Sequence, residues 1–368
     1  MHQAPTRIWP RRAVAYTGLM TGLLVGSSFL LVASSAPSAR PAAGSPVPAR
    51  IVKLGTHRFG HLRAPEAVVA SAGPADVAFD QGERIGPWSF EIARDRSVWL
   101  LDELNKRLLV WAPGHPNARP RRVALSPSFY VGDFALGPKG TFYVTTRRPE
   151  TPMLLDRLGA GGRLLWEQKL TTMNFNLQLR YGPDRTLYWV DPNFAKPRRW
   201  VPAATPAGRP LSVAAQRKGA SRQPLSTKLR LVSTFRSPHE LDYTLIDRAG
   251  KLHRAWRVTS RTAIAPVLGN TPALIGGDLV VVIETSARIK GVFRMEYEVL
   301  RLAHNGPTRT RFSLAHSSWL DTSGRGAWGD VMTDVRIGPG AKLYQLGSSP
   351  TMGVAIYRYS IAPAKPAA

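Results

Sequence analysis

A strand–turn–strand motif that returns about every 45 residues, turn residues set between apolar alternations, and the near absence of helical periodicity beyond residue 40 predict an all-β fold. The architecture expected is a β-propeller of six four-stranded blades, preceded by an N-terminal hydrophobic helix. The motif is clearest where FEIARDRSVWLLD (90–102) lines up without a gap on LRYGPDRTLYWVD (179–191), with FALGPKGTFYVT (134–145) between them.

Each copy reads as strand, tight turn, strand. Phe90 and Ile92, then Val98 and Leu100, are apolar at period two, so one face of each strand is buried. Gly137-Pro138-Lys139-Gly140 and Gly182-Pro183-Asp184 supply turn chemistry, because Pro presets φ and Gly accepts positive φ. The second strand is aromatic and β-branched, as in Phe142-Tyr143-Val144 and Leu187-Tyr188-Trp189-Val190. Val335 to Leu346 repeats the form, and Leu274 to Ile283 is a shortened copy. A second unit, Leu154–Trp166, resembles Leu245–Trp256 and, more loosely, Val299–Gly306. These read as the outer hairpins of blades. Inner strands are expected to start near 90, 134, 179, 228, 275 and 335. Residues 195–230 and 316–330 fit the repeat poorly, which leaves five or seven blades open.

The N-terminus divides from this repeat. Arg7, Arg11 and Arg12 precede an uncharged run from Ala13 to Ala33. A helix of that length spans a bilayer core, and the flanking charge sets its N-terminus in the cytoplasm. The expected organisation is residues 1–36 as a signal peptide or a signal-anchor transmembrane helix, 37–50 as a Pro/Ala-rich linker, and 51–368 as the propeller. The propeller is then extracytoplasmic, either secreted or held at the membrane through residues 13–33. Gly18, Gly22 and Gly26 lie on one face of that helix, a spacing compatible with a homodimer as well as with ordinary membrane composition. The chain has no cysteine, which excludes disulfides, thiolate metal sites and a lipoprotein anchor.

Net charge is +26, and the first 50 residues hold only five of the arginines. Basic residues gather in expected loops: Arg121 and Arg122, Arg147 and Arg148, Arg198 and Arg199. Such a field suits an anionic envelope surface or polymer, although a protein partner and a merely solvated basic face are also compatible. No zinc-finger spacing, RNA-recognition signature or helix-turn-helix pattern accompanies the charge, so no specific nucleic acid is expected. H-E-x-x-H, G-x-S-x-G and P-loop motifs are absent too, and no catalytic residue is assigned.

Aligning the repeats places Ser89, Asp133, Gln178 and Asp334 one residue before each inner strand, and His239 comes from the fourth repeat. Equivalent positions of different blades ring one end of the central channel. Carboxylates and amides converging there would suit Ca²⁺, an oxygen-seeking cation; the same residues would equally satisfy exposed strand ends. No cofactor is required by any motif, and the identity of a metal is left open.

The stretch Gly86–Trp111 resembles an NHL repeat, through Gly86-Pro87, the alternating strand, and Asp102, Asn105 and Arg107 followed by an apolar pair and an aromatic. In that family the Asp, Asn and Arg hold the blade together, so the resemblance implies a structural role for Asp102, Asn105 and Arg107. It also implies a binding platform, non-catalytic in most members. Related six-bladed propellers include metal-dependent lactonases and an amidating lyase, with metal ligands around the channel mouth. A hydrolase or lyase of that type is therefore the alternative to a binding module.

Overall fold

The computed structural model describes residues 49–80, 86–125, 130–148, 153–172, 177–191, 199–266, 272–305, 308–316 and 335–362. The proposed membrane segment, with Gly18, Gly22 and Gly26, lies outside the described residues, as do Asp334 and Arg198. Among the described residues no helix is long and apolar enough to cross a membrane.

Strands β1 (Arg50–Lys53) and β2 (Ala67–Ala72) come first in the chain and belong to later blades. Blade 1 is β3 (Ser89–Ile92), β4 (Val98–Asp102), β5 (Arg107–Trp111) and β6 (Arg121–Ala124), paired antiparallel in chain order. Blade 2 repeats this with β7 (Tyr130–Leu136), β8 (Phe142–Arg147), β9 (Leu154–Leu158) and β10 (Leu164–Lys169). The hairpin β9–β10 is the outer unit expected from Leu154–Trp166. The molecule is thus a six-bladed β-propeller, with one sheet for each blade.

Blade 3 departs from the pattern. It has β11 (Gln178–Tyr181), β12 (Leu187–Asp191) and β13 (Arg199–Ala204), and no continuous fourth strand. Residues 210–221 run back along β13 instead, bridging it at Ala204–Pro210 and Trp200–Ser221. Between the bridges lies the short helix α1 (Val213–Gly219), capped by Ser212, whose side chain accepts from Ala215 N. Gly219 lies against Pro202, and an added Cβ would approach Pro202 Cγ to 2.5 Å. This explains why residues 195–230 broke the repeat.

Blade 4 holds β14 (Gln223–Pro224), β15 (Leu229–Ser237), β16 (Glu240–Asp247) and β17 (Leu252–Thr259). Its first strand is only two residues long and starts before the expected position near 228. Pro224 has no N–H to extend a ladder, and Leu225 turns straight back onto Leu229. Blade 5 has a split first strand, β18 (Ala263–Pro266) and β19 (Ala273–Ile275), both paired to β20 (Asp278–Ile289), then β21 (Val292–Leu302) and β22 (Thr310–Ala315). Blade 6 is β23 (Val335–Gly338), β24 (Lys342–Ser349) and β25 (Gly353–Ser360), with β2 as its outermost strand.

Alternation along each strand makes the cores. In blade 1, Phe90, Leu100, Leu109 and Trp111 face Tyr344, Leu346 and Ile356 of blade 6. The intervening Leu101, Leu108 and Val123 face Phe134, Phe142 and Val144 of blade 2. A two-residue period thus lets one sheet seal two seams. Buried tryptophans also spend their N–H groups across neighbouring segments: Trp88 Nε1 donates to Gly132 O (3.0 Å) and Trp256 Nε1 to Ala303 O (3.1 Å). These buried aromatics are spent on packing between blades.

Residues 50–72 form a belt around three blades. β1 adds to blade 4 in parallel with β17, Leu62 bridges Ser313 on the edge of blade 5, and β2 completes blade 6. Closure at β2 is tight at Gly353, whose φ is +79°; a Cβ there would lie 2.1 Å from Ala72 O. Gly353→Ala should cost about 2–3 kcal/mol in chemical denaturation, whereas Gly291→Ala, which meets only the positive-φ strain, should cost about 1 kcal/mol. Equal costs would mean that β2 does not close the ring as described.

Candidate functional site

The first strands β3, β7 and β11 lie side by side around the axis, and the residues aligned by the repeat meet there. Within β7 the ladder to β8 slips between Val131 and Phe134, a bulge at Gly132–Asp133 that turns the Asp133 side chain inward. The bulge is held because Asp133 N donates to Thr145 Oγ1 (2.8 Å).

Asp133 is 5% exposed and its carboxylate is fully engaged. Oδ1 accepts from the Ser89 hydroxyl and from Phe134 N (2.9 Å). Oδ2 accepts from Leu179 N and from Arg180 Nη1, both at 2.8 Å. A carboxylate offers about four lone-pair sites, and four donors fill them. A cation at Asp133 would have to displace Arg180. Ser89 and Gln178 are buried beside it.

Two positions further along, the repeat carries charges of both signs. Glu91, Ala135, Arg180 and Arg336 are equivalent in the aligned motif. Arg336 Nε donates to Phe90 O (3.1 Å), and its Nη2 lies 3.0 Å from Glu91 Oε1. Burial, with Arg336 nearby, lowers the Arg180 guanidinium to about 10, where it is still protonated at neutral pH. Burial also raises the Glu91 carboxyl, against the pull of Arg336 and Arg180. The links run from blade 6 through blade 1 to blades 2 and 3 without interruption. Arg180, Arg336 and Glu91 were not singled out in the sequence, although the repeat alignment already put two arginines and a glutamate at one register.

His239 sits elsewhere. It is exposed at the turn between β15 and β16, where its carbonyl accepts from Ser260 N (3.0 Å). The neighbouring Asp242 is taken up by Arg257 and Arg236, and Glu240 by Arg257. Among the described residues no group of three or more His, Asp or Glu is disposed to hold a metal ion.

Asp102, Asn105 and Arg107 come together. Asp102 Oδ2 accepts from Asn105 Nδ2 (2.8 Å) and Arg107 Nε (2.7 Å), while Arg107 Nη2 reaches Asp76 O (2.6 Å). In blade 2, Thr146 stands at the equivalent place and donates to Asp156 (3.0 Å). Of the basic loop residues, Arg121 lies over the Trp99 ring (5.4 Å) and Arg122 lies 3.7 Å from Asp76. Arg148 pairs with Glu167 at 2.6 Å. Arg147, Arg148 and Arg199 stand at the end of the ring where the first strands begin; Arg121 and Arg122 are on an outermost strand.

Glu103 follows Asp102 at that same end and is 4% exposed, with Oε2 unpartnered by any hydrogen bond. Burial raises its carboxyl to about 7, with Lys106 opposing. Its charge, with that of Asp133, contributes to raising the Tyr130 hydroxyl, which burial alone already pushes up.

No protein-family model matches the sequence, and neither does any curated protein sequence. Similar solved structures include a streptogramin B lyase, at 10% identity and TM-score 0.40, over 80% of this chain and 97% of that one. The PQQ-bound aldose sugar dehydrogenase from Streptomyces coelicolor matches at 11% identity and TM-score 0.42, over 80% and 96%. Virginiamycin B lyase from Staphylococcus aureus matches at 10% identity and TM-score 0.37, over 77% and 87%. At such distances these likenesses carry no argument about chemistry.

Glu103 supplies a pH test. Its folded pKa of about 7 lies above the ordinary value of 4.5, so the folded state binds the extra proton between those limits. Stability from this group is present below about pH 4.5 and is lost as pH rises towards 7. Glu103→Gln should therefore stabilise the protein at pH 8 by about 1–3 kcal/mol and change little at pH 4.5. Equal effects at both pH values, read from denaturation midpoints, would contradict the assignment.

Proposed function

We propose that this propeller is a non-catalytic binding module, NHL-like in its blade construction and extracytoplasmic, that engages an anionic envelope surface or polymer. The observation that supports this over a metal-dependent hydrolase or lyase is the state of Asp133. A metal site of the lactonase kind needs carboxylate oxygens free to coordinate, and all of the Asp133 lone pairs are spent on its own strand and the two neighbouring ones. The net charge of +26 supports the anionic partner, with Arg147, Arg148 and Arg199 on one rim of the ring. Glu103 favours the enzyme reading, since a buried carboxyl near pKa 7 could carry a proton in general acid–base catalysis, and Asp156, raised by burial to about 6, shares that property.

Retention of the full chain on immobilised dextran sulfate tests the proposal. Affinity should fall at least about tenfold between roughly 50 and 200 mM NaCl, as released counterions dictate for several phosphate- or sulfate-like contacts. Added Ca²⁺ or EDTA should leave the melting temperature unchanged. Absence of retention at low salt would overturn the binding reading, and a rise in melting temperature with Ca²⁺ would favour the hydrolase.

A further inference from the structure

The belt leaves a cleft of about 440 Å³ where it crosses the outer edge of blade 5. One wall is β21 and β22, with Glu298, Arg311 and Phe312; the other is the belt, with His57, Arg58, His61 and Arg63. The cleft is remote in the fold from the Asp133 cluster: it lies on an outermost strand, not on the axis.

Its deep end is held by buried charges. His57 Nε2 lies 2.8 Å from Glu296 Oε2, and Gly60 N donates to Glu296 Oε1 at 2.7 Å. Arg311 donates from Nε to Glu298 Oε1 and from Nη1 to Leu54 O (2.6 Å). Burial pushes the His57 imidazole down, but Glu298 and Glu296 outweigh it and hold the group above 6.5. Thr262 Oγ1 accepts from His57 N (2.8 Å), which fixes the backbone of the belt here.

Two features of the cleft call for a ligand. Glu298 is 1% exposed, yet its Oε2 has no hydrogen-bond partner. Arg311 is spent on Oε1, and His57 Nδ1 is 3.7 Å from Oε2, beyond hydrogen-bond reach. A buried acceptor left unfilled costs about 1–3 kcal/mol, which a donor entering the cleft would recover. At the rim, Arg58 and His61 are exposed and have no carboxylate partner among the described residues. The guanidinium of Arg63 lies 4.8 Å over the Phe312 ring, a stacking that leaves its in-plane N–H groups available.

We propose that this cleft binds a small carboxylate bearing a neighbouring hydroxyl, of the sugar-acid class. The carboxylate meets the fork of Arg63 with Arg58 beside it, and the hydroxyl donates to Glu298 Oε2. A neutral hydroxyl fits that oxygen better than an ammonium, because Arg311 and His57 already bring positive charge to the same carboxylate. The volume suits a monosaccharide-sized acid. The inference is separate from the polymer reading: dextran sulfate binding and sugar-acid binding succeed or fail independently.

Calorimetric titration of the full chain with D-glucuronate at pH 7 tests it, with D-glucose, acetate and inorganic phosphate as comparisons. Glucuronate should bind at least about tenfold more tightly than the other three. Arg63→Ala and Arg58→Ala, both at exposed positions, should each weaken it about tenfold with little change in melting temperature. No heat with glucuronate up to about 10 mM would overturn the proposal. So would an unchanged affinity in both arginine variants, tighter binding of phosphate, or acetate binding as well as glucuronate.

Discussion

The carboxylate of Asp133 ties three inner strands to one point. It accepts from blade 1 through Ser89, from its own strand at Phe134, and from blade 3 through Leu179 and Arg180. Arg336 extends the same chain to blade 6 by way of Phe90 and Glu91. Seams between blades are apolar and non-directional, so they fix distance but not register. Charge-assisted hydrogen bonds at the axis are directional and set the register of one blade against the next. The bulge at Gly132–Asp133 belongs to this arrangement, because without it the side chain would face a seam.

Such a ladder limits where chemistry can happen. Buried charges persist only when each has its partner, so the axis near Asp133 has little capacity left for a ligand. Buried carboxylates with spare capacity lie off the axis. Glu103 keeps a free oxygen at the rim, and Glu298 keeps one beneath the belt. The belt itself is a physical consequence of the ring: one strand from the N-terminal segment must finish blade 6, and the residues leading to it have to cross blades 4 and 5. A cleft forms where that crossing segment is polar and stands clear of the strand edge.

The repeat made the blades legible. Period-two apolar residues on either side of a tight turn carry the same physical demand in each copy, and Leu154–Trp166 and Leu245–Trp256 could be read as outer hairpins for that reason. Blade 3 and the start of blade 4 were not legible, because a helix between two bridges and a strand stopped by Pro224 satisfy the sheet edge without repeating its pattern. The positions of Ser89, Asp133 and Gln178 were readable as a cluster; what Asp133 does there was not. Its role depends on Arg180, and a positive charge inside a strand looks the same in sequence whether it faces solvent or a carboxylate. The His57–Glu296–Glu298 group joins residues about 240 apart, and no local pattern announces it.

A double-mutant cycle between Asp133→Ala and Arg180→Ala, read by chemical denaturation, tests the central claim most directly. If the carboxylate and guanidinium hold the inner strands as a unit, the two losses should be strongly non-additive, with a coupling of about 2 kcal/mol or more. Additivity within about 0.5 kcal/mol would contradict the account and return Asp133 to the set of groups available for a ligand or a metal.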